Sequence, residues 1–227
     1  MISIIVPVYN EEKGIGEFIN YLKENISGEE AELIFVDGGS TDKTIQICKN
    51  NKVSVFISPE KGRASQMNYG AEKAKGQIYY FLHSDSLPPP KFLEDIKKNI
   101  KKGYSSGCYR LSFYPEHALL KFYAWFTRFD IDLFRFGDQS LFVKKESFNE
   151  VRGYNETLNV MEDQQIIKDL KKRGSFIIMK DHVVTSSRKY TEIGVFKLQL
   201  LFALIVLLYY LGVNQKVIVN FYTEQLK

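Results

Sequence analysis

The segment ISIIVPVYNEE, residues 2–12, begins with a short apolar and β-branched run, Ile2–Val8, that ends before Asn10. A run of this kind, bounded by a turn residue, is typical of a buried strand. Apolar residues then recur at helical spacing through Glu11–Ile26, which predicts a helix directly after the strand. The chain therefore opens with a strand and a helix.

The same alternation continues through the first third of the chain. Strands are predicted at Leu33–Val36, Val53–Ile57 and Gln77–Leu82, and helices at Lys43–Asn50, with Asp42 as N-cap, and Ala64–Ala74. Regular alternation predicts an α/β fold with a Rossmann-like, mostly parallel central sheet flanked by helices. Ligands of such sheets bind at the carboxyl ends of the strands. Three polar groups fall there: Tyr9-Asn10-Glu11, Asp37-Gly38 and His83-Ser84-Asp85.

The pattern changes beyond Pro115, where the segment Ala118–Phe136 is rich in aromatic residues. We expect most of the aromatic side chains of Phe122–Phe136 in the core, because aromatics dominate protein cores. Further elements are predicted as helices at Lys91–Lys102 and Met161–Arg173 and as strands at Tyr109–Phe113, Ser140–Val143 and Phe176–Met179. We predict one domain over residues 1–190 and an apolar helical appendage with a short tail over residues 191–227.

The composition excludes several classes of protein. The chain has 227 residues, 44% of them hydrophobic, and a formal net charge of +4. That charge is too small to indicate a nucleic-acid partner. Two lone cysteines, Cys48 and Cys108, make a disulfide framework or a zinc finger improbable and favour a reducing cytosol. No signal peptide opens the sequence, so a cytoplasmic location is expected.

The segment Leu198–Gln215 carries no charge and is bracketed by Lys197 and Lys216. It is shorter than the roughly 20 apolar residues that a spanning helix needs. We expect a helix that packs on the domain or lies in a bilayer interface, on the inner face of the cell membrane. A homodimer interface would use the same surface.

Five segments that carry polar residues follow one another along the chain in a characteristic order. They are Pro7–Glu12, Val36–Asp42, Gly62–Asn68, His83–Asp85 and Glu162-Asp163. Together they resemble the family 2 glycosyltransferases of the GT-A fold, which transfer a sugar from a nucleotide-sugar to an acceptor. The segments GRASQMN (62–68) and TSSRK (185–189) resemble one bacterial subgroup of that family. The resemblance implies a nucleotide-sugar-binding half over residues 1–115 and an acceptor-side half over residues 116–190.

The resemblance implies that a nucleotide-diphosphate sugar binds to the donor side of the site. The residues concerned are Pro7, Tyr9, Glu11, Asp37, Arg63, Gln66, Asn68, Ser84 and Arg188. The Asp37 carboxylate can accept hydrogen bonds from the base or the ribose, and Gly38, where the family more often has a second Asp, leaves the choice open. A helix that begins at Arg63 favours anions such as the diphosphate.

The family's D-x-D metal motif corresponds to His83–Asp85, so the resemblance assigns the metal-binding role to Asp85. Mg²⁺ or Mn²⁺ needs only one or two carboxylates when phosphate oxygens complete its coordination. Two roles stay open for His83. It could be a second ligand, more suited to Mn²⁺, or a hydrogen-bonded structural histidine, which is the more frequent case.

The resemblance assigns the catalytic base of an inverting transfer to Asp163, in the Glu162-Asp163 pair before a predicted helix. Such a base takes the proton from the attacking acceptor hydroxyl. Glu162 and Asp138 are predicted to lie on the acceptor side. The acceptor itself is not identified by the sequence, and the apolar C-terminal helix is compatible with a lipid-linked one. A nucleotidyltransferase and a degenerate sugar-nucleotide-binding scaffold remain as alternatives.

Overall fold

The computed structural model describes residues 1–225, in which eight strands form one mixed sheet. The strands are β1 (Ile2–Val8), β2 (Ala31–Asp37), β3 (Ser54–Ile57), β4 (Ile78–Phe81), β5 (Ser86–Leu87), β6 (Ser106–Tyr114), β7 (Leu141–Lys144) and β8 (Phe176–Ser186). Their order across the sheet is β3-β2-β1-β4-β7-β6-β8-β5. The first four run parallel, whereas β7 is antiparallel to both β4 and β6. The predicted α/β fold with a parallel first half is confirmed.

Helices connect and cover these strands. They are α1 (Ile15–Ile26), α2 (Thr44–Asn50), α3 (Arg63–Lys73), α4 (Phe92–Lys101), α5 (Ala118–Trp125), α6 (Lys145–Glu150), α7 (Glu162–Arg173), α8 (Arg188–Ile193), α9 (Val195–Tyr210) and α10 (Gln215–Gln225). Three short 3-10 turns, Phe126–Arg128, Asp132–Phe134 and Gly137–Gln139, lie between α5 and β7.

The sheet separates two apolar layers, because successive strand residues point to opposite faces. Ile4 and Val6 of β1 join one core cluster, which contains the buried faces of α1 and α4. Ile5 joins the other, which contains the buried faces of α3 and α7. At Gly70 of α3, an added Cβ would lie 2.4 Å from a methyl carbon of Ile5, so glycine lets this helix approach the sheet closely.

Several predicted boundaries differ from the observed ones. Helix α1 begins at Ile15, because residues 9–14 form bends and a turn. The N-cap position of α2 is Lys43 rather than Asp42, although the Asp42 carboxylate accepts a hydrogen bond from the Thr44 backbone N–H at 2.9 Å. Strand β8 continues to Ser186, well past the predicted end, since pairing with β6 maintains it through a polar, exposed stretch.

The expectation that the aromatic run lies in the core is wrong for many of its members. Phe122, Trp125 and Phe129 are 57%, 44% and 39% exposed, respectively. Helix α5 is short, and the turns that follow it bury backbone polar groups instead of these rings.

The C-terminal helices pack against the rest of the chain. Leu198, Leu201 and Ile205 of α9 form a cluster with Ile218 of α10, and Met161 packs against it. The opposite face of α9 leaves apolar side chains exposed, with Phe196, Leu200 and Leu207 at 77%, 73% and 54%. Among residues 1–225, no helix is long and apolar enough to cross a membrane. Residues 226 and 227 of the predicted appendage lie outside the described part.

Candidate active site

The carboxyl ends of β1, β2 and β4 lie side by side at one edge of the sheet. Val8 pairs in register with Asp37, so the segments that follow these two strands start at the same level. Pro7, which we expected to contact the donor, lies inside β1 and is buried. Tyr9 projects beyond the strand and is 57% exposed.

Asp37 is fully buried at the end of β2, and its two carboxylate oxygens differ in their surroundings. Oδ2 accepts hydrogen bonds from the backbone N–H groups of Gly39 and Ser40, each at 2.8 Å. Oδ1 has no hydrogen-bond partner among the described residues. Because buried polar atoms are nearly always paired, this oxygen is available to a donor group of a ligand.

Glu11 lies between acidic and basic groups of the site. Its backbone N–H donates to Thr44 Oγ1 at 2.8 Å, which ties the loop after β1 to the start of α2. Burial raises the pKa of Glu11, and the negative charge of Asp85 raises it further. The positive charge of Arg188 and a hydrogen bond from Ser84 act in the opposite direction. Glu11 thus shares its electrostatic environment with three other predicted site residues, Ser84, Asp85 and Arg188.

The amide side chains of α3 bind protein groups. Gln66 Nε2 donates to the carbonyl oxygens of Val8 and Val36, at 2.9 and 2.7 Å, and so joins the ends of β1 and β2. Asn68 exchanges two hydrogen bonds of 2.9 Å with the backbone of Tyr154. Gln66 thus lies against the ends of β1 and β2, whereas Asn68 contacts the loop after α6. Donor binding by these two residues stays a prediction.

A histidine and two carboxylates cluster after β4. Ligand atoms of His83, Asp85 and Asp138 all lie within 4.8 Å of one another. His83 Nδ1 is 2.9 Å from Asp138 Oδ1. Burial and the charge of Arg63 disfavour the imidazolium, yet the hydrogen bond and charge of Asp138, with the charge of Asp163, raise the pKa of His83 above its usual value. Asp138, expected on the acceptor side, is thus in contact with the D-x-D segment.

Arg63 links α3 to the first turn of α7. Its Nη1 atom is 3.4 Å from Glu162 Oε1 and 3.8 Å from Asp163 Oδ2. The Arg63 side chain is 47% exposed, whereas that of Glu162 is only 4% exposed. Burial raises the pKa of Glu162, and the charge of Asp163 adds to this effect despite the opposing charge of Arg63.

Gly137 is the point at which the cluster after β4 meets the start of α7. A Cβ atom added to Gly137 would lie 2.2 Å from Asp163 Oδ2 and 2.5 Å from His83 Cε1. A small cavity of about 10 Å³ here is lined by Tyr154 as well as these residues. The metal candidate and the base candidate therefore share one site.

A buried cation that was not predicted from the sequence supports this region. Arg135 is fully buried, and its guanidinium donates to Gln139 Oε1 and to the Thr127 carbonyl, both at 2.7 Å. It also donates to the Phe129 carbonyl. These bonds hold the segment that carries Asp138. No sequence signal distinguishes Arg135 from Arg128, which lies in the same segment and is exposed.

Comparison with known proteins gives consistent matches. The family model for glycosyl transferase family 2 matches residues 3–151. An uncharacterized glycosyltransferase of Haemophilus influenzae is 43% identical over 97 residues, which are 38% of this chain and 37% of that protein. The chain thus spans only about a third of that relative's length.

Two solved structures share the fold. The crystal structure of S. aureus TarS 1–349 has a TM-score of 0.67 at 20% identity and covers 88% of this chain and 65% of that one. The mannosyltransferase PcManGT from Pyrobaculum calidifontis, solved in complex with GDP-Man and Mn²⁺, has a TM-score of 0.62 at 18% identity. This match covers 81% of this chain and 56% of that one.

Proposed function

This chain belongs to glycosyl transferase family 2, and we propose that it transfers a sugar from a nucleotide-diphosphate sugar to an acceptor hydroxyl, with inversion and with the help of a divalent cation. The observation that carries the proposal is the shared site of Asp85 and Asp163, which are linked through His83 and Gly137. The archaeal mannosyltransferase with GDP-Man and Mn²⁺ supports both the donor class and the cation.

The nucleotide end of the donor binds at the edge formed by β1 and β2. The unpaired Oδ1 of Asp37 accepts a hydrogen bond from the base or the ribose. The exposed ring of Tyr9 offers an apolar surface beside it. Gln66 keeps the two strand ends together and thus positions this part of the site.

The diphosphate lies near Asp85, Glu11 and Arg188. Asp85 is an exposed carboxylate that would hold Mn²⁺ or Mg²⁺, and the donor atoms around it suit such an ion. A bound cation supplies neutralisation of the charge that develops on the leaving diphosphate. Arg188, at the start of α8, adds a guanidinium whose planar fork fits phosphate oxygens.

Asp163 is the general base of the proposed reaction. Its carboxylate removes the proton from the acceptor hydroxyl, which attacks the anomeric carbon on the side opposite the leaving diphosphate. Arg63 lies beside both acids of the pair and limits their mutual repulsion. Glu162, which we expected on the acceptor side, is buried. Its proposed role is to hold Arg63 and the start of α7 in place.

The acceptor side of the site adjoins the C-terminal helices. Tyr209 Oη at the end of α9 donates to Gln165 Oε1 at 2.9 Å, two residues after Asp163. Helix α9 therefore packs against α7, which carries the proposed base, and the outer face of α9 exposes apolar side chains. This arrangement supports a lipid-linked acceptor, approached from a membrane surface.

A donor panel tests the proposed function. UDP-, GDP-, CDP- and dTDP-sugars are compared by thermal shift with Mn²⁺, because a ligand that binds only the native state raises its stability. The stabilising donor is then assayed with polyprenyl-phosphate and soluble sugar acceptors, with and without Mn²⁺. Release of a nucleoside diphosphate is expected. Release of pyrophosphate would instead indicate nucleotidyl transfer, and binding without turnover would indicate a scaffold.

A further inference from the structure

We infer that His83 and Asp138 are direct ligands of the divalent cation and, with Asp85, form a mixed nitrogen–oxygen site that prefers Mn²⁺ to Mg²⁺. The inference deepens the proposed function. It rests on that function only in taking this cation to be the one that binds the donor diphosphate. It assigns a metal-binding role to His83, which stands where the D-x-D motif has its first acid. It assigns the same role to Asp138, which lies much further along the chain.

The three side chains lie close to the spacing that a cation needs. All three ligand atoms lie within 4.8 Å of one another. Ligand atoms bound to one ion at about 2.1–2.2 Å are themselves roughly 3–4.4 Å apart. The 2.9 Å between His83 Nδ1 and Asp138 Oδ1 matches the shortest of these separations. Only small side-chain adjustments separate the observed arrangement from a coordinating one.

The three ligand side chains differ in how exposed they are. The side chain of His83 is 11% exposed and that of Asp138 is 42% exposed, while Asp85 is exposed. The protein therefore encloses the cation position on one side and leaves the other side open. An open side is what a donor diphosphate needs in order to supply the remaining oxygen ligands.

The turn that carries Asp138 is anchored to a buried residue. Asp138 lies within the 3-10 turn Gly137–Gln139, and Gln139 accepts a hydrogen bond from the buried Arg135 at 2.7 Å. Asp138 thus supplies the second carboxylate that the D-x-D motif lacks here, because His83 stands in place of its first acid. A hydrogen bond between a surface carboxylate and a purely structural histidine would not require Asp85 to converge on the same point.

The nitrogen ligand has a consequence for metal selectivity. Mg²⁺ strongly prefers oxygen ligands, whereas transition-metal ions accept imidazole readily. We therefore expect the protein to bind Mn²⁺ in preference to Mg²⁺. The substitution His83→Asp creates an all-oxygen site and should shift the preference toward Mg²⁺.

Pulsed electron paramagnetic resonance of bound Mn²⁺ tests the inference directly, because a coordinated imidazole gives a ¹⁴N hyperfine coupling. The full chain without a polyhistidine tag is used, in the absence of donor and acceptor. It contains three histidines. We expect the ¹⁴N coupling in the parent protein, its loss in both His83→Gln and His83→Asp, and its retention in the control His182→Gln. His182 is exposed on β8, where its charged neighbours are Arg110, Asp181 and Arg128.

A second variant keeps the inference testable if His83 variants fold poorly. Asp138→Asn should weaken Mn²⁺ binding about tenfold or more in a direct titration. The metal-free unfolding temperature of each variant reports on its fold.

Three results would overturn the inference: Mn²⁺ bound without any ¹⁴N coupling, a coupling that survives His83→Gln, or no Mn²⁺ binding by the parent protein. Each is independent of glycosyl transfer. Turnover without a ¹⁴N coupling would refute the ligand set alone, and a coupling without turnover would refute the proposed function alone.

Discussion

Arg63 Nη1, at the start of α3, lies 3.4 Å from Oε1 of the buried Glu162, which follows 99 positions later in the chain. The pair joins the donor half of the molecule to the segment that carries the proposed base. Glu162 is buried although Arg63 is half-exposed, so removing Arg63 would leave a buried carboxylate without its counter-charge. The contact therefore makes the ionisation of Glu162 matter for both stability and activity.

The raised pKa of Glu162 predicts a pH-dependent stability. Because the folded state holds this proton more tightly than the unfolded chain, the free energy of unfolding falls as pH rises from the unfolded pKa through the folded one. Each unit of upward shift corresponds to about 1.4 kcal/mol. Urea unfolding between pH 4 and pH 8 should show a flatter profile for Glu162→Gln than for the parent. Parallel profiles would contradict the assignment.

Gly137 should be intolerant of a side chain. The methyl group of Gly137→Ala would displace the Asp163 carboxylate, which lies 2.2 Å from the position of its Cβ. We expect at least a tenfold loss of turnover, on the order of 1.4 kcal/mol in the activation barrier. Gly14→Ala is the control, because nothing lies within 4 Å of the corresponding Cβ position. Equal activity of the two variants would show that Gly137 does not hold Asp163 in place.

Asp37 should control donor affinity through its unpaired oxygen. In Asp37→Asn the charge is lost, and a hydrogen bond to a charged group is worth about 1.5–3 kcal/mol. Isothermal titration should therefore show donor binding weakened by roughly 10-fold to 100-fold. Asp42→Asn, in the same loop, is a control that should retain donor affinity. Unchanged affinity in Asp37→Asn would exclude this residue from nucleotide recognition.

The sequence predicted the fold and the location of the site for one physical reason. Parallel strands place their carboxyl ends at one edge, so the positions of Asp37 and Asp85 followed from strand–helix alternation alone. The segment between α5 and β7 has neither helical nor strand periodicity. Its exposed Phe129 and buried Arg135 therefore contradict the usual preferences of their residue types. The contact between His83 and Asp138 depends on that segment and could not be predicted.

Arg135 should be among the most important residues for stability. Arg135→Met would leave the buried Thr127 carbonyl without a donor and would remove the guanidinium donor of the Phe129 carbonyl and of Gln139 Oε1, each of which keeps one other donor. Each buried group left unpaired costs about 1–3 kcal/mol, so we expect a loss of at least about 2 kcal/mol in denaturant unfolding. The control Arg128→Met removes an exposed arginine and should cost less than about 1 kcal/mol. Similar losses in both variants would contradict the special role of Arg135.

The proposed base provides the most direct test of the whole account. Steady-state turnover and donor affinity are measured for Asp163→Asn and for the control Asp169→Asn, which changes a partly exposed residue further along α7. We expect Asp163→Asn to bind the donor like the parent protein while its turnover falls about 100-fold or more, and Asp169→Asn to keep both properties. Turnover of Asp163→Asn at the parental rate would contradict the account.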